Sequence, residues 1–353
     1  MSVRNFRCLE SSRWSPGSGR HVLVGRNGAG KTSVLEAIYF LATTRSFRTS
    51  RVADCLHWDR DQFWVRGRLE GERGPELVAS WRRSGATRQV NGKTVAFGDY
   101  LGQLAVLSWS ARDDRVVDGE PSLRRRLLDQ GVVAKKPHEV ETLSEFRSVL
   151  NAKRRLLGLT DRTAIASLES WNELMARFGH QLARLRSEYV SDLRTAFHDI
   201  LEDTEVGLRP VDFEYRASPE EGAESIESFR SALNTARNRE LTQQRALVGP
   251  HRDRLRIVWG GADIARSASA GERKLFGLVL TAARQRVLQA AGREPILLLD
   301  DLDAGLDVER LSSVWELFDA APQVFITSAD ASTGRGIPGL SAWRLTDARI
   351  APV

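Results

Sequence analysis

The loop between residues 25 and 32 constrains this chain of 353 residues more than any other feature. It fits the phosphate-loop pattern G-x-x-x-x-G-K-[ST] at every fixed position and reads Gly25, Arg26, Asn27, Gly28, Ala29, Gly30, Lys31, Thr32. The apolar run at 21–24 predicts a buried strand before it, and apolar spacing at 34–41 predicts a helix after it. Its glycines would let backbone N–H groups surround a phosphate, while Lys31 would contact the β- and γ-phosphates and Thr32 would ligate Mg²⁺. We therefore expect all eight residues to bind a nucleotide cofactor, with Lys31 also acting in catalysis.

A second apolar strand, near the other end of the chain, is followed by Asp300 and Asp301. Its residues, 296–299, predict a strand buried on both faces, and α/β sheets bind ligands at the carboxyl ends of such strands. Nucleotide hydrolysis needs an acid that holds the metal ion and a group that positions water. We predict that Asp300 holds Mg²⁺ together with Thr32, and that Asp301 orients the attacking water.

A turn of small residues, Ser269-Ala270-Gly271, precedes a predicted helix at 272–290. A capped helix explains this turn equally well when it is taken alone. A serine at the start of a helix can also bind phosphate. Two chains facing each other could then each offer Ser269 and Gly271 to the γ-phosphate bound by the partner. Just upstream of the acidic strand, the turn is similar to the signature motif of ATP-binding cassettes.

Two further residues fit the same class of ATPase. Asp307 follows Ala304-Gly305-Leu306, where cassettes have a loop that contacts the dimer partner, and Thr327 ends a predicted strand at 323–328 as a candidate γ-phosphate sensor. The phosphate loop and the acids also lie far apart in sequence, whereas simple P-loop kinases and small GTPases keep them closer. The long insertion favours the cassette and SMC-like branch.

The remaining patterns indicate the organisation of the chain. Short β-leaning runs between 62 and 108, with a hairpin signal at Asn91-Gly92, predict an antiparallel β subdomain. Helical periodicity dominates from 123 to about 201. The predicted fold class is α/β, with an ABC-ATPase-like head of P-loop sheet, flanking helices and β subdomain, and an inserted helical arm. We place the head at 1–122 and 240–353 and the arm at 123–239.

Composition restricts the cellular compartment and the partners that we expect for this chain. No apolar run approaches the roughly 20 residues of a membrane-spanning helix, so we expect no membrane partner. Cys8 and Cys55 form no close pair, and we interpret them as free thiols in a reducing cytoplasm. A net charge of +6 weakly favours an anionic partner.

Several segments together resemble the bacterial RecF family. They are Asn5-Phe6-Arg7, the phosphate loop with its continuation to Tyr39, Arg45–Arg48, Val117–Asp129 and Gly249–Asp253, and they extend, with the motifs above, from near residue 5 to near residue 330. The resemblance implies a cytoplasmic ATPase that binds ATP and Mg²⁺ and dimerises on ATP with shared active sites. It also implies binding of single-stranded or gapped DNA, slow hydrolysis that DNA stimulates, and the partners RecR and RecO. The implied roles are recombinational repair, replication restart, recombinase loading and SOS induction.

This chain departs from the family pattern at identifiable positions. Arg112 stands where the family usually has Glu, and Glu272 follows the signature turn where glutamine is common. The late N-terminus also predicts a shortened first strand. Two basic groups are candidates for contact with the DNA backbone, although a structural or solvated role is equally compatible with each. They are Arg45 with Arg48 and Arg51, and Arg124 with Arg125 and Arg126.

Other functions compete with this interpretation. An SMC-like P-loop ATPase of a nuclease-associated defence system shares every motif and stays open as the alternative. The ATPase subunit of a transporter is disfavoured by the long polar arm. A small-molecule P-loop kinase is disfavoured by the signature turn and the distant acids.

Overall fold

The computed structural model describes residues 1–71, 74–110, 113–117, 119–159, 162–204, 207–302, 314–329 and 339–353. The chain divides into two compact units. The first comprises Met1–Asp114, Asp199–Leu208 and Ser269–Val353, and the second comprises Arg115–His198 and Arg209–Ala268. The boundary at Ser269 lies downstream of the predicted boundary at 240, because strands within 254–263 pair with a strand at 211–216.

The described residues form both β-strands and α-helices. The strands are β1 (Ser2–Phe6), β2 (Leu9–Arg13), β3 (Gly19–Val24), β4 (Gln62–Arg68), β5 (Glu76–Arg82), β6 (Gly85–Val90), β7 (Lys93–Thr94), β8 (Val106–Trp109), β9 (Val211–Arg216), β10 (Arg254–Trp259), β11 (Ala262–Asp263), β12 (Ile296–Leu299), β13 (Gln323–Ser328), β14 (Leu340–Thr346) and β15 (Arg349–Pro352). The α-helices are α1 (Lys31–Thr43), α2 (Phe97–Gln103), α3 (Pro121–Lys135), α4 (Val140–Leu157), α5 (Arg162–Asp203), α6 (Ile226–Gln243), α7 (Ile264–Ser267) and α8 (Ala270–Ala290).

The first unit contains a mostly parallel sheet in the order β15-β14-β3-β13-β12-β8. Strands β14, β3, β13, β12 and β8 run parallel, and β15 pairs antiparallel with β14. The carboxyl ends of β3, β12 and β13 therefore lie side by side at one edge. These strands carry the phosphate loop, the two acids and Thr327, so the topology brings together motifs that lie far apart in sequence.

A second sheet in the same unit is antiparallel, in the order β2-β1-β4-β5-β6-β7. The hairpin signal at Asn91-Gly92 is confirmed, since both residues have positive φ and join β6 to β7. Helix α1 is buried along almost its whole length and packs with residues of both sheets in one core. In that core the rings of Phe6, Phe40 and Phe63 contact one another edge-on or tilted. The predicted α/β head with an antiparallel subdomain is confirmed.

The second unit consists of helices α3, α4, α6, α7 and most of α5, with the sheet β11-β10-β9. A buried guanidinium joins its elements, because Arg186 of α5 donates to Asp129 of α3 at 2.6 Å and to Asp253 at 2.7 Å. Tyr215 of β9 donates its hydroxyl to Asp253 as well. Buried charges need such partners, so this cluster ties two helices to the segment that leads into β10.

Histidine 251 makes the stability of the second unit depend on pH. Burial lowers the pKa of His251 to about 4, and the nearby charges of Arg154, Arg252 and Lys153 act in the same direction. The unfolded chain protonates this residue near its ordinary pKa of about 6.5. The unfolded state therefore binds the extra proton, so stability is complete above about pH 6.5 and declines as the pH falls towards 4.

We predict that the free energy of unfolding falls by roughly 1–2 kcal/mol between pH 7.5 and pH 5 because of this residue. His251→Gln keeps an N–H donor for the Ala246 carbonyl that the His251 Nε2 contacts. Urea unfolding of wild type and His251→Gln across this range should show a flatter pH dependence for the variant. His21, whose pKa burial also lowers, is present in both proteins, so equal slopes in the two would contradict the prediction.

Candidate functional site

The phosphate loop occupies the turn between β3 and α1. Gly28 and Gly30 have φ of +83° and +104°, in the left-handed region that favours glycine. A Cβ atom on Gly30 would lie 2.7 Å from the Cys8 sulfur, and one on Gly25 would lie 2.7 Å from the Leu345 carbonyl oxygen. Glycine is therefore required at Gly28 by backbone geometry, at Gly25 by space, and at Gly30 by both.

The ammonium group of Lys31 lies against the start of the loop. Its Nζ donates to the Gly25 carbonyl at 2.7 Å and to the Arg26 carbonyl at 3.3 Å, and the residue is buried. Lys31 is also the first residue of α1, whose first turn carries no acidic side chain. The positive end of the helix dipole and the ammonium charge thus act together, which makes this turn an anion-binding site.

Asp300 joins the phosphate loop to the acidic edge of the sheet. Its Oδ1 accepts a hydrogen bond from Thr32 at 2.9 Å and one from Thr327 at 2.7 Å. Burial raises the pKa of Asp300, and these two hydrogen bonds oppose the rise. The structure therefore brings together Thr32, Asp300 and Thr327, each from a different strand–loop junction.

The same group of side chains has the chemistry of a magnesium site. The Thr32 hydroxyl and the Asp300 carboxylate are hard oxygen donors on adjoining elements, which is the donor set that Mg²⁺ prefers. Among the described residues there is no cluster of three or more His, Cys, Asp or Glu side chains that could hold a metal ion. An ion here would need phosphate oxygens and water to complete its octahedral shell, so the residues fit Mg²⁺ bound together with a nucleotide.

Asp301 differs from its neighbour in exposure and in backbone conformation. Its side chain is exposed, and its φ of +51° is uncommon for a residue other than glycine. The Asp301 N–H donates to the Thr327 hydroxyl at 2.9 Å. Thr327 thus contacts the Asp300 carboxylate and the Asp301 backbone, which fixes the Asp301 peptide next to Asp300.

The signature turn is a capped helix start in this structure. Ser269 is the N-cap of α8, and with Glu272 it forms a capping box. The Ser269 hydroxyl donates to the Glu272 carboxylate at 2.8 Å. Ser269 is exposed and Gly271 lies in the first turn of the helix. No hydrogen bond joins either residue to the phosphate loop in the described part of the chain, and Asp307 lies outside it.

Glu36 is a buried carboxylate beside the loop that the motifs did not single out. It accepts hydrogen bonds from Arg7 at 2.9 and 2.7 Å and from Arg48 at 3.3 Å. Ser46 also donates to it, and the Cys55 sulfur lies 3.6 Å away. An acidic residue among the apolar positions of α1 was the available signal, since a buried carboxylate requires nearby cations.

A cavity of about 900 Å³ extends along the phosphate loop. Its remaining lining comes from the start of β2, the segment before β4 and the turn between β14 and β15. These residues include Cys8, Glu10, His57, Arg344, Thr346 and Asp347. The cavity has room for the nucleoside part of a nucleotide and offers it polar and ionisable groups.

The candidate DNA-binding arginines divide into internal and exposed side chains. Arg124 is buried and donates to Asp263 and to the carbonyl of Leu255, so it cannot serve as a surface contact. Arg125 donates to the Asp253 carbonyl. Arg48 binds Glu36, whereas Arg51 is 80% exposed and 3.7 Å from Asp54. Of the two roles left open for Arg124, the structure favours the structural one, because the Asp263 carboxylate, distant in sequence, holds this side chain inside the second unit.

Among the residues that the structure describes, no helix combines the length and the hydropathy that crossing a membrane requires.

The family follows from comparison with known proteins. Residues 1–340 match the model of the RecF/RecN/SMC N terminal domain. The DNA replication and repair protein RecF of Frankia alni is 34% identical, and the match covers 93% of this chain and 92% of that protein. The chain belongs to the RecF family. The resemblance found in its motifs is thereby confirmed.

Solved structures agree with the RecF fold. The recombination mediator protein RecF with ATP, from the RecFOR pathway, is similar with a TM-score of 0.88 and 24% identity, covering 100% of this chain and 96% of that one. The Smc head domain of Pyrococcus furiosus is similar with a TM-score of 0.54 and 16% identity, covering 100% and 94%. The predicted ABC-ATPase-like head is the fold that these RecF and Smc structures share.

Lys31→Met tests the phosphate loop directly. We expect the variant to bind ATP more weakly by on the order of a hundred-fold, because a hydrogen bond to a charged group contributes about 1.5–3 kcal/mol. A fluorescent ATP analogue titrated into both proteins measures the change. Lys93→Met removes an exposed lysine from the β6–β7 hairpin and should bind like wild type. Equal affinity in Lys31→Met and Lys93→Met would show that the nucleotide binds elsewhere.

Proposed function

We propose that this chain binds ATP with Mg²⁺, hydrolyses it slowly, and uses the nucleotide to control its dimerisation on DNA. The proposal places the activity in recombinational repair and replication restart, with recombinase loading and SOS induction as its consequences. DNA in single-stranded or gapped form is the proposed partner, and DNA is expected to stimulate hydrolysis. RecR and RecO are the proposed protein partners, and the cytoplasm is the proposed location.

The observation that carries the proposal is the contact between Thr32 and Asp300 at 2.9 Å. A phosphate loop alone supports only nucleotide binding, and an acidic strand alone is compatible with solvated carboxylates. Their direct contact supports a hydrolytic site, because it places a metal-binding acid beside the loop that would hold the β- and γ-phosphates. Thr327 contacts the same carboxylate, which supports its role in sensing the γ-phosphate.

The residues divide the work of hydrolysis among them. Lys31 and the N-terminus of α1 bind and orient the phosphates, and the backbone N–H groups of the loop surround them. Mg²⁺, when bound by Thr32 and Asp300, supplies charge that stabilises the transferring phosphoryl group. The exposed carboxylate of Asp301 accepts a hydrogen bond from the attacking water and orients it toward the γ-phosphate. Asp301 is the one candidate base among these residues, which is consistent with slow turnover.

A second subunit would complete the site. Ser269 is exposed at the positive end of α8, a helix of 21 residues, and it makes its hydrogen bonds within its own turn. Presented to the nucleotide of a facing chain, this turn would offer a hydroxyl and a helix dipole to the γ-phosphate. The arrangement supports dimerisation that depends on ATP, with Gly271 allowing close approach and Asp307 as a further proposed contact.

The DNA partner is supported by the names of the relatives and by charge. RecF of Frankia alni is described as a DNA replication and repair protein, and a related structure belongs to the RecFOR pathway. The net charge of +6 favours a polyanion. Likeness to RecF over nearly the whole chain favours this function over a nuclease-associated defence ATPase.

Light scattering with and without Mg-ATP tests the central proposal, with gapped duplex DNA added in parallel. We expect a monomer without nucleotide, a dimer with Mg-ATP, and DNA binding that weakens steeply with salt. Ser269→Arg should keep ATP binding but block dimerisation, because a long side chain fills the approach to the partner's phosphate. A monomer indifferent to both ATP and DNA would refute the proposal, and normal dimerisation of Ser269→Arg would refute the shared site.

Glu272→Gln tests the same turn in the opposite direction to Ser269→Arg, because it should strengthen dimerisation. The Glu272 carboxylate lies 2.8 Å from the Ser269 hydroxyl, so it would face the partner's γ-phosphate with a like charge. Glutamine keeps an oxygen that can accept from the Ser269 N–H and therefore preserves the cap. We expect the dimer dissociation constant with Mg-ATP to fall about five-fold, since removing a partly exposed like charge contributes about 1 kcal/mol. Analytical ultracentrifugation of both proteins measures it, and weaker dimerisation would contradict the repulsion.

A further inference from the structure

Lys274 connects the helix of the signature turn to the end of the acidic strand. It lies in the second turn of α8 and is buried, with 8% of the residue exposed. Its Nζ donates to the Leu302 carbonyl at 2.8 Å and contacts the Asp301 carbonyl at 3.5 Å. None of the motifs requires a lysine that binds these two carbonyls.

The ammonium group also lies over an aromatic ring. Nζ is 5.3 Å from the centroid of the Trp109 ring, a distance at which a cation is attracted to the face of indole. Trp109 ends β8, and its carbonyl accepts the Asp300 N–H at 2.9 Å. Lys274 therefore contacts the Asp301 and Leu302 carbonyls at the end of the acidic pair. It also contacts the ring of Trp109, whose carbonyl accepts the Asp300 N–H.

The backbone at Asp301 is strained and is held from both sides. A φ of +51° at a residue other than glycine persists only where the surroundings maintain it. Thr327 accepts the N–H of Asp301 at 2.9 Å, and Lys274 binds the carbonyls that follow. Because the Asp301 side chain is exposed, the peptide groups on either side set where its carboxylate lies.

We propose that Lys274 is a positioning residue for hydrolysis, acting on the attacking water through the backbone of Asp301. The inference rests on the proposed ATPase function. Lys274 acts through the carbonyls of Asp301 and Leu302, and its ammonium fixes the orientation of the carboxylate that would contact the attacking water. Loss of the ammonium lets the Asp301 peptide rotate, so the step that suffers is hydrolysis, while ATP binding by the phosphate loop is unchanged.

The test compares Lys274→Met with wild type for ATP affinity, kcat and KM. Methionine keeps apolar contact with Trp109 and removes only the charged donor. We expect the dissociation constant of a fluorescent ATP analogue and the KM to stay within about two-fold, and kcat to fall by roughly ten- to a hundred-fold, as a misplaced catalytic group would cause. Lys274→Arg, which retains a charged donor, should recover part of kcat. Arg286→Met removes a cation from the same helix, where it pairs with exposed Asp203, and should match wild type.

The outcomes separate this inference from the proposed function. Wild-type turnover that Asp301→Asn abolishes but Lys274→Met leaves intact would overturn the positioning role alone. Equal losses of affinity and kcat in Lys274→Met, with a lower melting temperature, would overturn it in favour of a structural role. If Lys274→Met does not fold, Lys274→Gln decides, because it removes the charge but keeps a polar side chain. Unchanged kcat with unchanged affinity in that variant would overturn the proposal, and lowered kcat with unchanged affinity would support it. A wild type without turnover would contradict the proposed function, and the inference with it.

Discussion

The Asp300 carboxylate is the contact on which the site depends. It accepts hydrogen bonds from Thr32 at 2.9 Å and from Thr327 at 2.7 Å, and so joins the phosphate loop to two strands from the other end of the chain. Its burial raises its pKa because the charged form is poorly solvated. A divalent cation at this carboxylate would remove that penalty. Binding of Mg²⁺ at the Thr32 and Asp300 oxygens and binding of the nucleotide would therefore strengthen each other.

A second buried carboxylate nearby shows why Asp300, rather than any acid near the loop, suits a metal ion. Glu36 is paired with the guanidinium groups of Arg7 and Arg48, which supply its positive charge from within the protein. The Asp300 carboxylate accepts its hydrogen bonds from the hydroxyls of Thr32 and Thr327, which carry no charge. Glu36 is thus satisfied as a structural ion pair that fixes α1 behind the phosphate loop. Asp300 keeps a demand for positive charge that an ion can meet.

What the sequence predicts correctly depends on how local each feature is. The phosphate loop, the buried strand before Asp300 and the hairpin at Asn91-Gly92 are encoded by adjacent residues, so pattern alone identified them. Arg124 shows the limit, because its partner Asp263 lies far along the chain and only the folded second unit brings the two together. The boundary of the second unit before Ser269 also depends on residues that are distant in sequence. Strands β9 and β10 pair with each other although α6 lies between them in the chain. Sequence patterns do not single out Lys274, because neither Trp109 nor the Leu302 carbonyl is near it in sequence.

At the signature turn, the Glu272 carboxylate and a γ-phosphate from a facing chain would compete as acceptors for the Ser269 hydroxyl. Within one chain, Ser269 and Glu272 satisfy the N–H groups and the hydroxyl that α8 would otherwise leave unpaired. A γ-phosphate from a second chain would have to replace the Glu272 carboxylate as the acceptor of the Ser269 hydroxyl. Both acceptors are anions, so the exchange itself gains little, and the net gain must come from the helix dipole and the remaining contacts between subunits. With a glutamate at this position the free turn is well satisfied on its own. The proposed dimerisation would therefore depend on the γ-phosphate at the facing site, and the turn would then distinguish ATP from its hydrolysis products.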